Sequence, residues 1–254
     1  MIILSFLFFI IALLYSMVGF GGGSSYNALL VLFDVNHHIY PTIALLCNII
    51  VVTGGCWLFI KRGLLSSRLL LPFIITSIPM AHIAGRLVID KTIFLAILGI
   101  ALFVSSLIMI FNNHLQKRIV TPEANQNLWR WGLPIGACLG SLAGLVGIGG
   151  GILLSPVLYM LHWGTAKQIA ATASGFILVN SIAGISGQYI KLQDSQSGLN
   201  QIIEFWPAFI AVLIGGQIGS RLSSTRLSPQ FIQHLTAVLV LYVSLKIAWL
   251  LIQK

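Results

Sequence analysis

Charged side chains are scarce in this sequence. Only 7% of the 254 residues are Asp, Glu, Lys or Arg, whereas 57% are apolar and the mean hydropathy is +0.99. A soluble surface needs roughly a quarter of its residues to be charged. The shortage therefore excludes a soluble domain and indicates a polytopic membrane protein.

Carboxylates are especially rare, and none falls in the middle of an apolar run. The five acidic residues are Asp34, Asp90, Glu123 and Asp194 in predicted loops and Glu204 at the start of a segment. A cation or proton pump normally carries a buried carboxylate within the membrane. A carboxylate proton relay and a sodium site built from carboxylates are therefore not expected.

Metal, redox and hydrolytic motifs are also missing. Cys47, Cys56 and Cys138 lack CxxC spacing and are predicted to be small core residues. No Ser/His/Asp or HExxH spacing occurs, so an enzyme, a metal and a cofactor are not expected. The net charge of +9 comes from basic residues that occur singly or in pairs between apolar runs, without the stripe that binds nucleic acid.

Eight hydrophobic segments predict an all-α polytopic membrane protein. They cover residues 2–33, 40–60, 69–85, 92–111, 131–161, 168–190, 202–220 and 230–252. The first is interpreted as a retained membrane segment and not a signal peptide, since no basic residue precedes it and no cleavage site follows. The polar stretch 112–130 is predicted to link a first repeat, 1–111, to a second repeat, 131–254.

A glycine-rich motif, called the glycine phrase below, interrupts two of these segments. Residues 19–23 read Gly-Phe-Gly-Gly-Gly and residues 147–151 read Gly-Ile-Gly-Gly-Gly. A straight helix over 2–33 would be about 48 Å long, but the bilayer core is only about 30 Å thick. We therefore predict a break at each phrase, and such backbone survives at membrane depth only where protein buries it or water wets it.

Three matches in the same order indicate an internal duplication. The glycine phrases are offset by 128 residues, Asn48 and Asn180 by 132, and Arg86 and Arg221 by 135. Internal repeats are common in transporters, and the substrate site usually lies where the repeats meet.

The distribution of Lys and Arg between the two sides of the membrane distinguishes two possible topologies. If all eight segments cross, the two sides carry 8 and 5 basic residues; if segments 1 and 5 are re-entrant, they carry 9 and 4. The second arrangement obeys the positive-inside rule better and makes the halves inverted repeats. We favour it slightly, although residues 2–18 are apolar enough to cross alone.

The glycine breaks are the candidate substrate site. Free N–H groups and the dipole at the start of a helix favour an anion, and glycine lets an oxyanion approach the backbone closely. The predicted substrate-binding residues are Gly21, Gly22, Gly23, Ser24, Asn48, Gly149, Gly150, Gly151, Ser155, Thr172, Ser174 and Asn180. The competing interpretation is helix packing: polar residues also hold membrane helices together, and Gly132, Gly136, Gly140 and Gly144 form a ladder typical of a close-packed face.

Other polar residues have a structural interpretation that we favour over a functional one. Arg86 and Arg221 set topology more readily than they attract an anion. His82 is interpreted as a neutral packed residue rather than a proton relay. His37 and His38 are adjacent in a loop and give only a weak indication of a metal site.

These motifs resemble those of a known family. Residues 147–158, Gly-Ile-Gly-Gly-Gly-Ile-Leu-Leu-Ser-Pro-Val-Leu, are similar to the G-x-GGG-x-x-x-x-P-x-L signature of the TauE/SafE sulfite-exporter family of membrane permeases. The first copy has Asn27-Ala28 where the signature has a proline, and the Ala-Thr-Ala-Ser stretch 171–174 also resembles the family. The resemblance implies a carrier that exports sulfite or a small organosulfur anion across the cytoplasmic membrane.

The favoured function is therefore export of a small oxyanion by alternating access in the cytoplasmic (inner) membrane. An importer or channel for a small anion, and a membrane assembly protein without transport, remain alternatives. The expected partners are the anion and the lipid bilayer, with homo-oligomerisation left open and nucleic acid not expected.

Overall fold

Eleven helices make up the regular structure in the described part of the chain. The computed structural model describes residues 1–111, 127–161, 163–193, 196–222 and 229–253. The helices are α1 (Ile2–Val18), α2 (Gly23–Leu32), α3 (Tyr40–Lys61), α4 (Ser67–Arg86), α5 (Lys91–Phe111), α6 (Leu128–Val146), α7 (Gly151–Met160), α8 (Ala166–Gln193), α9 (Gln196–Ile203), α10 (Trp206–Leu222) and α11 (Pro229–Ile252). The all-helical prediction is confirmed for these ranges, and most of the predicted linker lies outside them.

Within the described ranges, four helices are long and apolar enough to cross a membrane. They are Tyr40–Lys61, Ser67–Arg86, Lys91–Ile108 and Lys167–Gln193, and Ile2–Met17 and Val240–Ile252 are shorter apolar helices. Large apolar side chains on the outside of the bundle are more than half exposed, among them Trp57, Ile75, Ile83, Ile100, Val238 and Tyr242. Such a surface is stable against lipid, so the chain is a multi-pass membrane protein.

The glycine ladder of α6 packs against α4. A Cβ on Gly132 would lie 2.6 Å from the Cβ of Pro72, and one on Gly144 would overlap the carbonyl oxygen of Ala81. Small residues let membrane helices approach closely and gain van der Waals contact. The interpretation of this ladder as a packing face is confirmed.

A second small-residue contact joins α1 to α10. A Cβ on Gly215 would lie 2.5 Å from the carbonyl oxygen of Phe9, and one on Gly219 would overlap Leu13 and Ser16. Because residue numbers rise together on both helices, α1 and α10 run in the same direction. Residue numbers also rise together along the glycine ladder, so α4 and α6 run in the same direction as each other.

The other large contacts also join helices from either side of residues 112–126. α3 packs on α8 in the opposite direction, with Gly184 beside Leu45 and Ser174 beside Gly55. α5 packs on α11, where a Cβ on Gly99 would lie 3.0 Å from Ile247. Both parts of the chain therefore contribute to each of the two hydrophobic clusters of the core.

A candidate substrate site between two helix interruptions

The first interruption lies between α1 and α2. Gly19 and Gly22 have φ angles of 82° and 91°, a left-handed conformation that glycine adopts without steric cost. The N–H groups of Ser25 and Tyr26 both donate to the carbonyl of Gly22, at 2.9 and 3.0 Å. The N–H groups of Gly23 and Ser24 precede this turn, so no helical carbonyl is available to them.

The second interruption lies between α6 and α7 and repeats this geometry. Gly147, Gly149 and Gly150 have φ angles of 81°, 76° and 73°. The N–H groups of Leu153 and Leu154 donate to the carbonyl of Gly150, at 3.1 and 3.0 Å. The N–H groups of Gly151 and Ile152 are therefore the free ones at the start of α7.

The two interruptions touch. A Cβ on Gly23 would lie 2.8 Å from the carbonyl oxygen of Gly147 and 2.9 Å from that of Ile148. In addition, Asn27 Nδ2 on α2 donates to the carbonyl of Val146, the last residue of α6, at 2.8 Å. The start of α2 is thus tied to the end of α6 across 119 residues of sequence.

Asn48 on α3 lies between the two interruptions. Its Nδ2 is 2.6 Å from the position of a Cβ on Gly23 and 2.7 Å from that of a Cβ on Gly149, and its Oδ1 abuts Gly21. The side chain is fully buried, yet neither amide atom has a hydrogen-bond partner among the described residues. Since buried polar groups are nearly always hydrogen-bonded, this unpaired amide is a candidate for contact with a ligand.

The remaining predicted site residues differ in whether their side chains are already hydrogen-bonded. Ser24 is buried beside the first interruption and its Oγ has no partner in the described chain. Ser155 Oγ donates to the carbonyl of Gly151 at 3.1 Å, so its hydroxyl is used within α7. Asn180 Nδ2 donates to the carbonyl of Phe176 at 2.8 Å, which leaves its Oδ1 unpaired in the same part of the structure.

Asn48 and Asn180 are therefore not equivalent. In the first half, Asn48 is the nearest neighbour of a Cβ on Gly23. In the second half, the nearest neighbour of a Cβ on the corresponding Gly151 is Ile177 and not Asn180. Ser174 lies beside Gly55, two helical turns along α3 from Asn48, about 10 Å away. Thr172 is buried nearby on α8, and its hydroxyl also has no partner among the described residues.

Sequence reasoning missed Asn27. The residue was noticed only as a departure from the family signature, although the offset of 128 places it opposite Ser155. The available signal was that Asn27 is a polar residue within an otherwise apolar helical stretch, where a packing residue is expected. Its role depends on a carbonyl of the other half, which the local pattern does not specify.

Within the described part of the chain, the buried polar residues around the site include no Asp, Glu, Lys, Arg or His. The buried polar side chains are all uncharged: Ser16, Ser24, Ser25, Asn27, Thr42, Asn48, Ser77, Ser105, Ser106, Ser155, Thr172, Ser174, Asn180, Ser181, Gln188 and Ser244. Positive potential at the interruptions therefore comes from the helix N-termini.

His82 lies away from the interruptions, near the end of α4. Arg86 donates to His82 Nε2, and His82 Nδ1 is 2.7 Å from Ser186 Oγ on α8. Because arginine can only donate, Nε2 is the acceptor in the first of these hydrogen bonds. This arrangement agrees with the packed interpretation.

The rings of the loop histidines His37 and His38 are in contact, with centroids 3.9 Å apart and planes tilted by 39°. Burial, followed by the charges of His38, Lys91 and Lys191, lowers the pKa of His37 to about 4. Within the described ranges no three His, Cys, Asp or Glu side chains come together as metal ligands.

Long apolar helices around an uncharged, hydrogen-bonding site at two helix interruptions are the architecture of a membrane transporter. The family model for sulfite exporter TauE/SafE matches residues 4–247. The chain therefore belongs to the TauE/SafE family, which consists of membrane transporters and not of enzymes.

Curated relatives agree with this assignment. The probable membrane transporter protein y4hK of Sinorhizobium fredii is 32% identical over 246 residues, covering 97% of each chain. Sulfite exporter TauE/SafE family protein 1 of Arabidopsis thaliana is 38% identical over 84 residues, 33% of this chain and 18% of that protein. A probable membrane transporter protein of Methanocaldococcus jannaschii is 32% identical over 114 residues, 44% of this chain and 41% of its own. No solved structure matches the chain significantly.

Proposed function

We propose that this protein exports sulfite or a related organosulfur anion across the cytoplasmic membrane by alternating access. The anion is held between the N-termini of α2 and α7, against Asn48. The observation that carries this proposal is the fully buried Asn48 amide, wedged between both interruptions with neither polar atom paired among the described residues.

The helix ends supply the attraction. Each helix N-terminus carries about half a positive elementary charge and presents free N–H groups. Glycines at 21–23 and 149–151 place no side chain of their own between an anionic oxygen and those groups. Two such ends facing one amide form a cradle that needs no basic side chain.

The chain path supports re-entrant hairpins in an inverted repeat. Gly147, at the end of α6, lies against Pro41 at the start of α3, whereas Gly19, at the end of α1, lies against Phe59 near the end of α3. α2 leads back to the start of α3, so the hairpin α1–α2 begins and ends on that side. α7 leads back to the start of α8, which runs opposite to α3, so the hairpin α6–α7 begins and ends on the other side.

Basic residues orient this arrangement. Among the described residues, the side at the end of α3 carries Lys61, Arg62, Arg68, Arg130, Lys167 and Arg221, and the opposite side carries Arg86, Lys91 and Lys191. By the positive-inside rule the richer side is cytoplasmic. Both termini then lie outside the cytoplasm.

Labelling of single cysteines tests this topology. In a variant whose Cys47, Cys56 and Cys138 are alanine, we expect His38→Cys to react with a membrane-impermeant maleimide on intact cells. Lys167→Cys should react only after permeabilisation, because the α6–α7 hairpin returns to the cytoplasmic side. Equal labelling of both positions in intact cells would support eight simple crossings instead.

Transport itself is tested in proteoliposomes. An inside-negative membrane favours outward movement of each negative charge by about 2.3 kcal/mol per 100 mV, which agrees with the absence of buried carboxylates in the described chain. We expect radiolabelled sulfite flux to saturate, to show counterflow and to follow an imposed potassium-diffusion potential. Flux no greater than in protein-free vesicles would favour an assembly protein, and flux without saturation or counterflow would favour a channel.

A further inference from the structure

We infer that the preferred cargo carries a single negative charge and a hydrogen-bond donor of its own, such as an O–H group. This inference rests on the proposed anion transport and names the substrate class of the same site. Hydroxyl-bearing sulfonates and singly protonated oxyanions fit this description, whereas dianions and donor-free monoanions do not.

The charge follows from the helix ends. Two N-termini of about half a charge each balance about one negative charge. No buried side chain in the described part of the protein carries a positive charge that could balance a second one. A dianion would therefore bring one uncompensated charge into the bundle, which is strongly unfavourable.

The donor requirement follows from the asparagine oxygens. Asn27 Nδ2 must face the Val146 carbonyl, because two carbonyl oxygens cannot hydrogen-bond to each other. The atom left over is therefore Oδ1, an acceptor that is fully buried and unpaired within the described chain.

Asn48 adds a further acceptor at the interruptions. It offers both a donor and an acceptor, and neither is paired with a described residue. A fully ionised oxyanion contains only acceptors, so it uses the N–H groups and leaves the amide oxygens unpaired. A cargo with its own O–H or N–H satisfies one of these oxygens as well, and a site built to bond such a group discriminates against analogues that lack it.

A matched set of sulfonates tests the inference in proteoliposomes. 2-Hydroxyethanesulfonate and ethanesulfonate carry the same charge and differ by one hydroxyl, and 1,2-ethanedisulfonate carries two charges. We expect 2-hydroxyethanesulfonate to inhibit sulfite flux at concentrations at least about tenfold below those required of ethanesulfonate, and the disulfonate to be weaker than both. Equal inhibition by the first two would overturn the donor requirement, and strongest inhibition by the disulfonate would overturn the charge limit.

If two-carbon sulfonates are too large to enter the site, sulfite flux measured over a series of pH values tests the same inference. At constant total sulfite, saturating flux should follow the concentration of the singly protonated form and fall as the pH rises above neutrality. Flux that rises with the dianion would overturn the inference. A complete lack of sulfite flux at every pH would instead refute the proposed transport function.

Thr53→Val provides the matched control. Thr53 lies on the same helix as Asn48, is exposed, and donates its hydroxyl to the carbonyl of Ile49 at 2.6 Å. This variant should keep the preference for the hydroxylated sulfonate. Asn27→Leu keeps the branching at Cγ but removes the acceptor Oδ1 together with the donor to Val146. It should reduce that preference, and an unchanged ratio in a folded Asn27→Leu protein would exclude Asn27 as the acceptor.

Discussion

Replacing Asn48 with leucine is expected to lower sulfite flux by about a hundredfold or more, with no loss of stability. Leucine keeps the branching at Cγ but offers neither donor nor acceptor. Because a buried, unpaired amide costs about 1–3 kcal/mol, its removal should raise the melting temperature of the detergent-solubilised protein. Loss of activity with gained stability is the signature of a binding residue retained at a cost to folding.

Two companion variants make the Asn48 result specific. Asn48→Asp keeps the shape but places a carboxylate at the helix ends, so it should compete with the anion and also abolish flux. Thr53→Val, on the exposed face of the same helix, should leave flux and melting temperature unchanged. Near-normal transport by folded Asn48→Leu protein would remove Asn48 from the site.

Replacing Gly144 with leucine is expected to have the largest effect on folding. Any side chain at this position overlaps the carbonyl and backbone of Ala81, so α6 and α4 must separate along the whole ladder. Overpacking of this kind costs about 3 kcal/mol or more. We expect little monodisperse protein in detergent and a steep fall in melting temperature, measured by fluorescence-detected size exclusion.

Gly55→Ala is the control for this substitution. A Cβ on Gly55 meets only Ser174 Oγ, at 3.9 Å, which is an ordinary contact, and the residue is helical. Its melting temperature should therefore be unchanged or slightly higher, since alanine favours the helix by about 1 kcal/mol. Normal folding of Gly144→Leu would contradict the packing assigned to α4 and α6.

Much of the helical organisation could be predicted because it depends on local patterns. Apolar runs specify membrane helices, and a glycine at every fourth position specifies a close-packed face, as the α6 ladder confirms. The short helix α9 was not predicted, and its residues were divided between a loop and the next segment. Its first residues are polar, so hydropathy gave no signal for a helix there.

The site was predictable only in part, for a related reason. Residue type and position drew attention to Asn48, but its place between both interruptions depends on how α3 packs against two distant segments. Asn180 and Ser155 have suitable chemistry, yet their donor groups are used by carbonyls of their own helices. Asn27 contacts the opposite half, and sequence spacing does not specify such a partner.

The hydrogen bond between Asn27 and Val146 has a consequence for the working cycle. A carrier with two identical halves would populate its inward-open and outward-open forms equally, by symmetry. Here Asn27 bonds to the other half, whereas Ser155, at the corresponding position, bonds within its own helix. In the proposed alternating-access cycle this difference makes the two forms unequal in free energy, and we therefore expect the unloaded carrier to prefer one of them.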